Sequence, residues 1–352
     1  MKQTSSTSAP GKLILLGEYA VLEGAPALVT AVNRYAKVIV KPSEKPGGRA
    51  RQNDFSVASP TLKILPQRFI ISADGKIIFP KSTANIRKQL RFFAAGVETF
   101  LHISGNALPA CEIELNTDEF YLTPGEKLGF GSSAALTAAL LDALHEFTGA
   151  PLDDRYPLFQ HAVQTHFQAQ GKMGSGIDIA ASIFGGTLQY QITPGDPLTA
   201  MIEEIEMPEH LLMLVIWAGK SASTRELVGQ VNAFARQQPG EFQKIMERMT
   251  DLSFAGCHAI VNREIAQFLD IVDQYYLTMD DLGQRSGAPI ISTEHARIAK
   301  IAKQNGAFYK PSGAGGGDMG IAFADSITVL ETVADALTKA GFQMLDVKIA
   351  YL

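Results

Sequence analysis

Residues Leu122 to Leu140 read LTPGEKLGFGSSAALTAAL, a small hydroxyl-bearing loop that runs without a break into a strong helix former. Gly129, Gly131, Ser132 and Ser133 lead directly into Ala134, Ala135, Leu136, Ala138, Ala139 and Leu140. The first turn of such a helix carries free backbone N–H groups and the positive end of the dipole, which suits a bound phosphate. Glycines let the backbone approach an anion closely. The two serines can cap the helix, bond phosphate oxygens or hold Mg2+, and an ordinary capped helix after a glycine turn would read the same way. No Lys precedes Ser132, so the loop is not a Walker A motif. Gly129-Phe130-Gly131 opens a G-x-G, but the next glycine is Gly149, so it is not a dinucleotide fingerprint either.

Composition narrows the class. The chain has 352 residues, 46% hydrophobic and 19% charged, which fits about two globular domains with a sizeable core. A net charge of -5 argues against a nucleic-acid surface. Cys111 and Cys257 are the two cysteines, far apart and without metal-type spacing, and the seven histidines include no paired-ligand pattern. MKQTSSTSAPGK has no apolar signal core, and no apolar run is long enough to span a bilayer. A soluble cytoplasmic protein with no membrane or nucleic-acid partner is expected.

Along the chain, Lys12 to Leu16 reads as a buried strand entered from an exposed N-terminal loop. Ala27 to Val32 and Tyr35 to Val40 read as two more strands with a turn at Asn33-Arg34, and Lys41 to Pro60 as an exposed hairpin or loop. Ile86 to Leu101 has helical spacing, with Ile86, Leu90, Phe93, Val97, Phe100 and Leu101 on one face. Cys111 to Leu115 alternates as a strand, Pro157 to Gln170 reads as a helix, and Asp178 to Phe184 as a small-residue helix. Pro194, Gly195 and Pro197 mark a boundary near Ile192 to Pro197. Beyond it come a strand at Leu211 to Trp217, helices at Glu241 to Asp273 and Thr293 to Asn305, a strand at Gly320 to Ala324, a helix at Thr328 to Ala340 and a final strand at Phe342 to Tyr351. The mixture predicts two α+β halves, not one doubly wound sheet.

Four further segments carry candidate chemistry. GKLILLGEYAVLEGAPAL, residues 11 to 28, places Lys12 at a strand start. QGKMGSGIDIAASIFGG, residues 170 to 186, leads through Gly171, Gly174 and Gly176 to Asp178, a lone acid entering an apolar run and equally a plain helix cap. WAGKSASTRELV, residues 217 to 228, sets Lys220 and Arg225 among Ser221, Ser223 and Thr224, which reads as an anion site or as caps. In KPSGAGGGDMGIAF, residues 310 to 323, four of the six residues from Gly313 to Asp318 are glycine, more than a turn needs and suited to close backbone approach.

In this order the segments resemble the GHMP small-molecule kinase family, whose members include galactokinase, homoserine kinase, mevalonate kinase and phosphomevalonate kinase. GKLILLGEYAVL looks like the family's first motif, PGEKLGFGSSAA like its phosphate loop and SGAGGGDMGIAF like its third, and together they span Gly11 to about Ala324. Similarity is strongest to the branch acting on 5-phosphomevalonate, through the 170–186 and 217–228 segments and through Asp318 closing the third loop. Mevalonate kinases carry a magnesium-binding Glu eleven residues before the catalytic Asp, and here Phe167 stands there, beside His166.

The resemblance implies an α+β, two-domain GHMP kinase fold, with a ribosomal-S5-like N-terminal domain over 1–192 and a ferredoxin-like C-terminal domain over 193–352. It implies ATP and Mg2+ as cofactors and 5-phosphomevalonate as the small-molecule acceptor, and leaves monomer and homodimer open. Lys12 and Asp178 would be catalytic, and Gly129, Gly131, Ser132, Ser133 and Ala134 would hold the ATP phosphates, with Ser133 as metal ligand. Glu18, Tyr19, Lys172, Ser175, Lys220, Ser221, Ser223, Gly313, Gly315 and Gly316 would meet the acceptor, and the 313–317 loop would close over it. A member kept only for binding would often lack the catalytic acid or the serines, and here Lys12, Ser132, Ser133 and Asp178 are all present.

Overall fold

The computed structural model describes residues 4–43, 54–105, 107–123, 126–171, 174–221 and 223–352. In chain order the strands and helices are β1 Ser5–Leu16, β2 Ala27–Pro42, β3 Phe55–Ser59, β4 Ile64–Ile71, β5 Ile77–Ile78, α1 Ala84–Gln89, α2 Arg91–Ser104, β6 Cys111–Asn116, β7 Tyr121–Thr123, β8 Glu126–Lys127 and α3 Ser132–Thr148. They continue with α4 Arg155–Gln170, α5 Ile177–Phe184, β9 Thr187–Thr193, β10 Asp196–Glu204, β11 Leu212–Trp217 and α6 Thr224–Gln237. The last are α7 Pro239–Val261, α8 Ile265–Ser286, α9 Thr293–Gln304, β12 Phe308–Pro311, β13 Met319–Ala324, α10 Ile327–Lys339 and β14 Gln343–Leu345.

The first sheet has the order β10-β9-β2-β6-β3-β4-β5, with β1 paired to β2. Its inner face is covered by α3, a helix buried along most of its length because it lies against β1 and β2 and is itself covered by α2, α4 and α5. Leu140, Leu141 and Leu144 are fully buried there, each worth about 1.5–3 kcal/mol. The second sheet, β12-β13-β11-β14, has only antiparallel neighbours, and β11 and β12 flank β13 as in a split β-α-β unit. This is the ferredoxin-like order. Ile298, Ala302, Leu330, Val333 and Leu337 from α9 and α10 pack against it in a core of their own. No helix among the described residues is long and apolar enough to cross a membrane.

Several expected boundaries move. β1 begins at Ser5, so the supposed N-terminal loop is strand, alternating buried and exposed before it enters the core. The turn expected at Asn33-Arg34 is a bulge inside one long strand: the register jumps from Pro10↔Tyr35 to Gly11↔Val32. The C-terminus explains the bulge. Asn33 exchanges backbone and side-chain hydrogen bonds with Lys348, and Arg34 donates to the carbonyl of Asp346 at 2.8 Å. The expected strand over 342–351 is therefore only β14, after which the chain returns to the first sheet, with Ile349 bridging Val32 and Ala350 bonding Ala31. Pro194 to Pro197 lies at the turn of the β9–β10 hairpin, so the first sheet runs to Glu204 and the expected boundary falls inside it. The long helix expected over 241–273 is two, broken where Arg263 takes φ 62 without a Gly or Pro to announce it. The 41–60 loop is partly β2 and β3, and its centre lies outside the described residues.

One packing contact in the second sheet is testable. A Cβ on Gly320 would stand 1.8 Å from the Tyr309 hydroxyl, and Tyr309 is buried. Gly320→Ala must push the ring aside and should cost about 1–3 kcal/mol, read as a lower Tm in thermal unfolding. An unchanged Tm would show that the ring moves freely.

Candidate active site

Three loops meet at the head of α3. The backbone N–H of Lys12 in β1 bonds the carbonyl of Phe130 at 2.9 Å, which ties the first motif to the glycine-serine loop. Gly131 takes φ 78 as the N-cap of α3. A Cβ there would lie 3.3 Å from Cγ of Lys12 and 3.8 Å from Cβ of Asp178. The lysine side chain thus runs along the bare face of Gly131 with Asp178, on the first turn of α5, beside it. The ammonium lies 3.9 Å from the position a Gly313 Cβ would take. Lys12 is 9% exposed, and among the described residues its ammonium has no hydrogen-bond or ion-pair partner. The N–H groups of Ser132 and Ser133 likewise have no acceptor among the described residues. A cation and two oriented donors without protein partners form a preorganised anion site.

Ser133 faces α4, where Nε2 of His166 lies 3.2 Å from its hydroxyl. The imidazole stacks near the Phe92 ring at 4.9 Å, and the Arg91 guanidinium covers the same ring at 4.5 Å. Burial pushes His166 down, Asp178 pulls it partly back and Arg91 pushes it down again. Loss of water around its ammonium lowers Lys127, Asp318 opposes that shift and Arg91 adds to it. Arg91, Lys127 and His166 are thus electrostatic neighbours of the loop, facing the two acids Asp178 and Asp318. Asp178 does not cap its helix, since Gly176 holds that position.

The third glycine loop is braced against its neighbours. The Ser312 hydroxyl accepts from the N–H of Ile14 at 2.9 Å, and the Tyr19 hydroxyl donates to the carbonyl of Ala314 at 2.6 Å. A Cβ on Gly315 would meet the Ile290 carbonyl at 2.3 Å, and the Gly316 N–H already donates to that oxygen at 2.7 Å. His295 donates from Nε2 to the carbonyl of Gly317 at 3.0 Å, so its Nδ1 accepts from Tyr309 at 2.7 Å. Asp318, at φ 56, packs where a Cβ on Gly129 would stand, 2.5 Å from its own Cβ.

Beneath the loop lies a buried ion pair. Lys310 of β12 is fully buried and donates to Oε1 of Glu18 and, at 2.7 Å, to the carbonyl of Pro311. The same Oε1 accepts from the Gly313 N–H at 3.3 Å. Burial lowers Lys310, the Glu18 carboxylate opposes this, and Lys12 adds to the lowering. Oε2 of Glu18 is buried without a hydrogen-bond partner among the described residues.

Of the residues expected from sequence, Lys12, Gly129, Gly131, Ser132, Ser133, Asp178 and Gly313 therefore converge. Glu18 and Tyr19 instead hold the second half of the molecule, Gly315 and Gly316 are pressed against Ile290, and Ser175 turns the chain into α5 by accepting from Ile177. The 217–228 segment has intramolecular work. Lys220 pairs with Glu294 at 2.7 Å and holds that carboxyl down to about 2, Ser221 donates to the carbonyl of Lys127, and Ser223 caps α6. Lys172 lies outside the described residues. Sequence reasoning passed over Arg91, His166 and Lys310. His166 stands next to Phe167, and a lysine inside the short strand FYKP was a visible anomaly, whereas nothing local marks Arg91.

The GHMP kinases N terminal domain matches residues 91–186. The chain is 30% identical over 247 residues to the mevalonate kinase of Archaeoglobus fulgidus, covering 70% of this chain and 69% of that protein. The chain belongs to the GHMP kinase family. It is 28% identical over 355 residues to the phosphomevalonate kinase of Streptomyces sp. (strain CL190), covering 92% of this chain and 91% of that one. The structure of Streptococcus pneumoniae phosphomevalonate kinase in complex with phosphomevalonate and AMPPNP shares the fold, with a TM-score of 0.77 at 18% identity over 98% of this chain and 99% of that one.

Burial holds His295 down to about 4, below the value of about 6.5 in the unfolded chain. The unfolded state therefore binds the proton first. The stabilisation is complete above about pH 6.5, falls as the pH drops toward 4 and then levels, a total of about 3 kcal/mol. Urea unfolding between pH 7 and 4 should show wild type losing that much more than His295→Asn. Parallel pH profiles would refute it.

Proposed function

We propose that the protein transfers the γ-phosphoryl group of ATP to 5-phosphomevalonate, giving 5-diphosphomevalonate and ADP in the cytoplasm. The observation that carries this reading is the Lys12 ammonium, on a residue 9% exposed and without a counter-ion among the described residues, between the head of α3, Asp178 and Gly313. The free N–H groups of Ser132 and Ser133, with Gly129 and Gly131 leaving room for close approach, receive the ATP phosphates at the positive end of the α3 dipole. An oxygen of the acceptor phosphate attacks the γ-phosphorus as the bond to the β-phosphate oxygen breaks. That oxygen is already anionic near neutral pH, so positioning and charge neutralisation outweigh the need for a strong base. Lys12 offsets the charge that develops on the transferred group, and Asp178 orients Lys12 and the attacking oxygen.

The donors present fit Mg2+. Asp178 offers a carboxylate and Ser133 a hydroxyl held by His166, while no three His, Cys, Asp or Glu side chains gather into a cage among the described residues. That is the set expected where the metal is held mainly by nucleotide phosphates and water. Bound there, the ion would neutralise phosphate charge.

The acceptor assignment rests on the Streptomyces relative and on charge. Where mevalonate kinases bring a carboxylate, this chain has Phe167, with neutral His166 beside it and Arg91 and Lys127 nearby. A site with fewer acids and more cations tolerates a second phosphate next to the γ-phosphate. Lys220, Ser221 and Ser223 would join the acceptor phosphate only by exchanging their present partners.

Steady-state kinetics with Mg-ATP and both acceptors decides the matter. We expect kcat/KM for 5-phosphomevalonate to exceed that for mevalonate by about 10²–10⁴-fold, because a pocket built for a charged group rejects the analogue that lacks it. Equal values, or faster turnover of mevalonate, overturn the acceptor and leave the family intact. Asp178→Asn should lower kcat about 10²–10⁴-fold with an unchanged Tm. Retention of most of the activity would reduce Asp178 to a residue of the α5 first turn.

A further inference from the structure

An unpartnered ammonium and an unpartnered carboxylate oxygen lie on either side of one glycine. Nζ of Lys12 is 3.9 Å from the Cβ position of Gly313, and the N–H of Gly313 donates to Glu18, whose Oε2 is buried and free of hydrogen bonds among the described residues. Both charges reach Gly313, and Lys12 acts electrostatically on Lys310, the partner of Glu18, so the two opposite charges are neighbours and attract. In this structure they do not pair. The carboxylate is taken by Lys310, which is fully buried, comes from the other sheet and is pinned by a second bond to the Pro311 carbonyl.

We infer that Lys310 is a positioning residue: by holding the Glu18 carboxylate it prevents that carboxylate from capturing Lys12, and so leaves the Lys12 ammonium for the transferred phosphoryl group. The inference rests on Lys12 as the cation of phosphoryl transfer. It differs from a plain brace between the sheets. A brace is lost equally by removing either end. A decoy is harmful only when the carboxylate is left without Lys310. Glu18→Gln keeps an oxygen for the Gly313 N–H and removes the charge that would attract Lys12. Lys310→Met keeps the bulk and frees the charge.

The experiment compares wild type, Glu18→Gln, Lys310→Met and the double variant in the full chain. It measures Tm, kcat and the rate at which an acetylating reagent modifies Lys12, read by peptide mass spectrometry. Both single variants should lose Tm, since each leaves a buried charge alone. Lys310→Met should lose about 10²-fold in kcat, the scale of removing one preorganised charge from such a site. Its Lys12 should be acetylated several-fold more slowly. Glu18→Gln should lose less than tenfold, with Lys12 as reactive as in wild type. The double variant, with no buried charge, should recover both kcat and Lys12 reactivity. Equal kcat losses in the two single variants, or a folded double variant as slow as Lys310→Met, overturn the inference and leave a brace. If Lys310→Met does not fold, the double variant alone decides. Acetylation needs no acceptor, so a failed acceptor assignment would show as missing turnover with the reactivity pattern still present.

Discussion

The hydrogen bond from the Lys12 N–H to the carbonyl of Phe130 joins the first strand to the loop that opens α3, and the rest of the site is arranged around it. It holds the root of Lys12 against the loop, and the missing side chain at Gly131 lets the remainder of Lys12 lie flat along it. The same economy recurs where Gly129 meets Asp318. Side chains laid flat against bare glycines are held in place beside the head of α3. That rigidity is what preorganised charge stabilisation requires, because dipoles that must reorient during a reaction lose most of their effect.

Charge is distributed to the same end. Lys12 and the first N–H groups of α3 have no partners among the described residues, whereas cations farther out are committed: Lys220 to Glu294, Lys310 to Glu18. Burial lowers Lys127 and Arg91 adds to the lowering, with Asp318 as partial compensation. A site of this kind is rich in positive charge, and two adjacent phosphate groups are the sort of ligand whose own repulsion it relieves. The half-buried His166, whose loss of water disfavours the charged form, fits this arrangement. It fixes the Ser133 hydroxyl without adding a negative charge beside the phosphates.

Much of this was legible in the sequence where local chemistry is self-explanatory. The glycine-rich segments mark close approach by themselves, whereas Lys12 and Asp178 also read as a strand-start charge and a helix cap and become site candidates only beside those loops. The failures share a cause. The bulge at Asn33-Arg34 reads as a turn because its stabilising partner, Lys348, lies at the other end of the chain. The hairpin turn at Pro194 to Pro197 reads as a domain linker because punctuation residues do not say whether the next strand returns to the same sheet. The serines of 217–228 read as an anion site or as caps, and spacing alone does not choose: Ser223 caps α6 and Ser221 bonds the Lys127 carbonyl. Gly315 and Gly316 read as close-approach positions, and the backbone they meet is that of Ile290. Spacing shows that a residue has a special task and tertiary structure shows toward what.

The Glu18–Lys310 pair is the sharpest instance, because neither partner is informative alone. Stability gives little reason to keep such a pair: burying two charges costs about what their attraction returns, and apolar residues of similar volume often serve as well. A reason appears once the surroundings are considered. The loops that build the anion site must be anchored by polar groups, and Glu18 accepts the Gly313 N–H that positions the third loop. A carboxylate anchored there stands close to the cation the site must keep unpaired. Neutralising it with an ammonium drawn from the opposite sheet solves both problems, and it does so only when the two halves are docked. Assembly of the fold and availability of Lys12 therefore become one event.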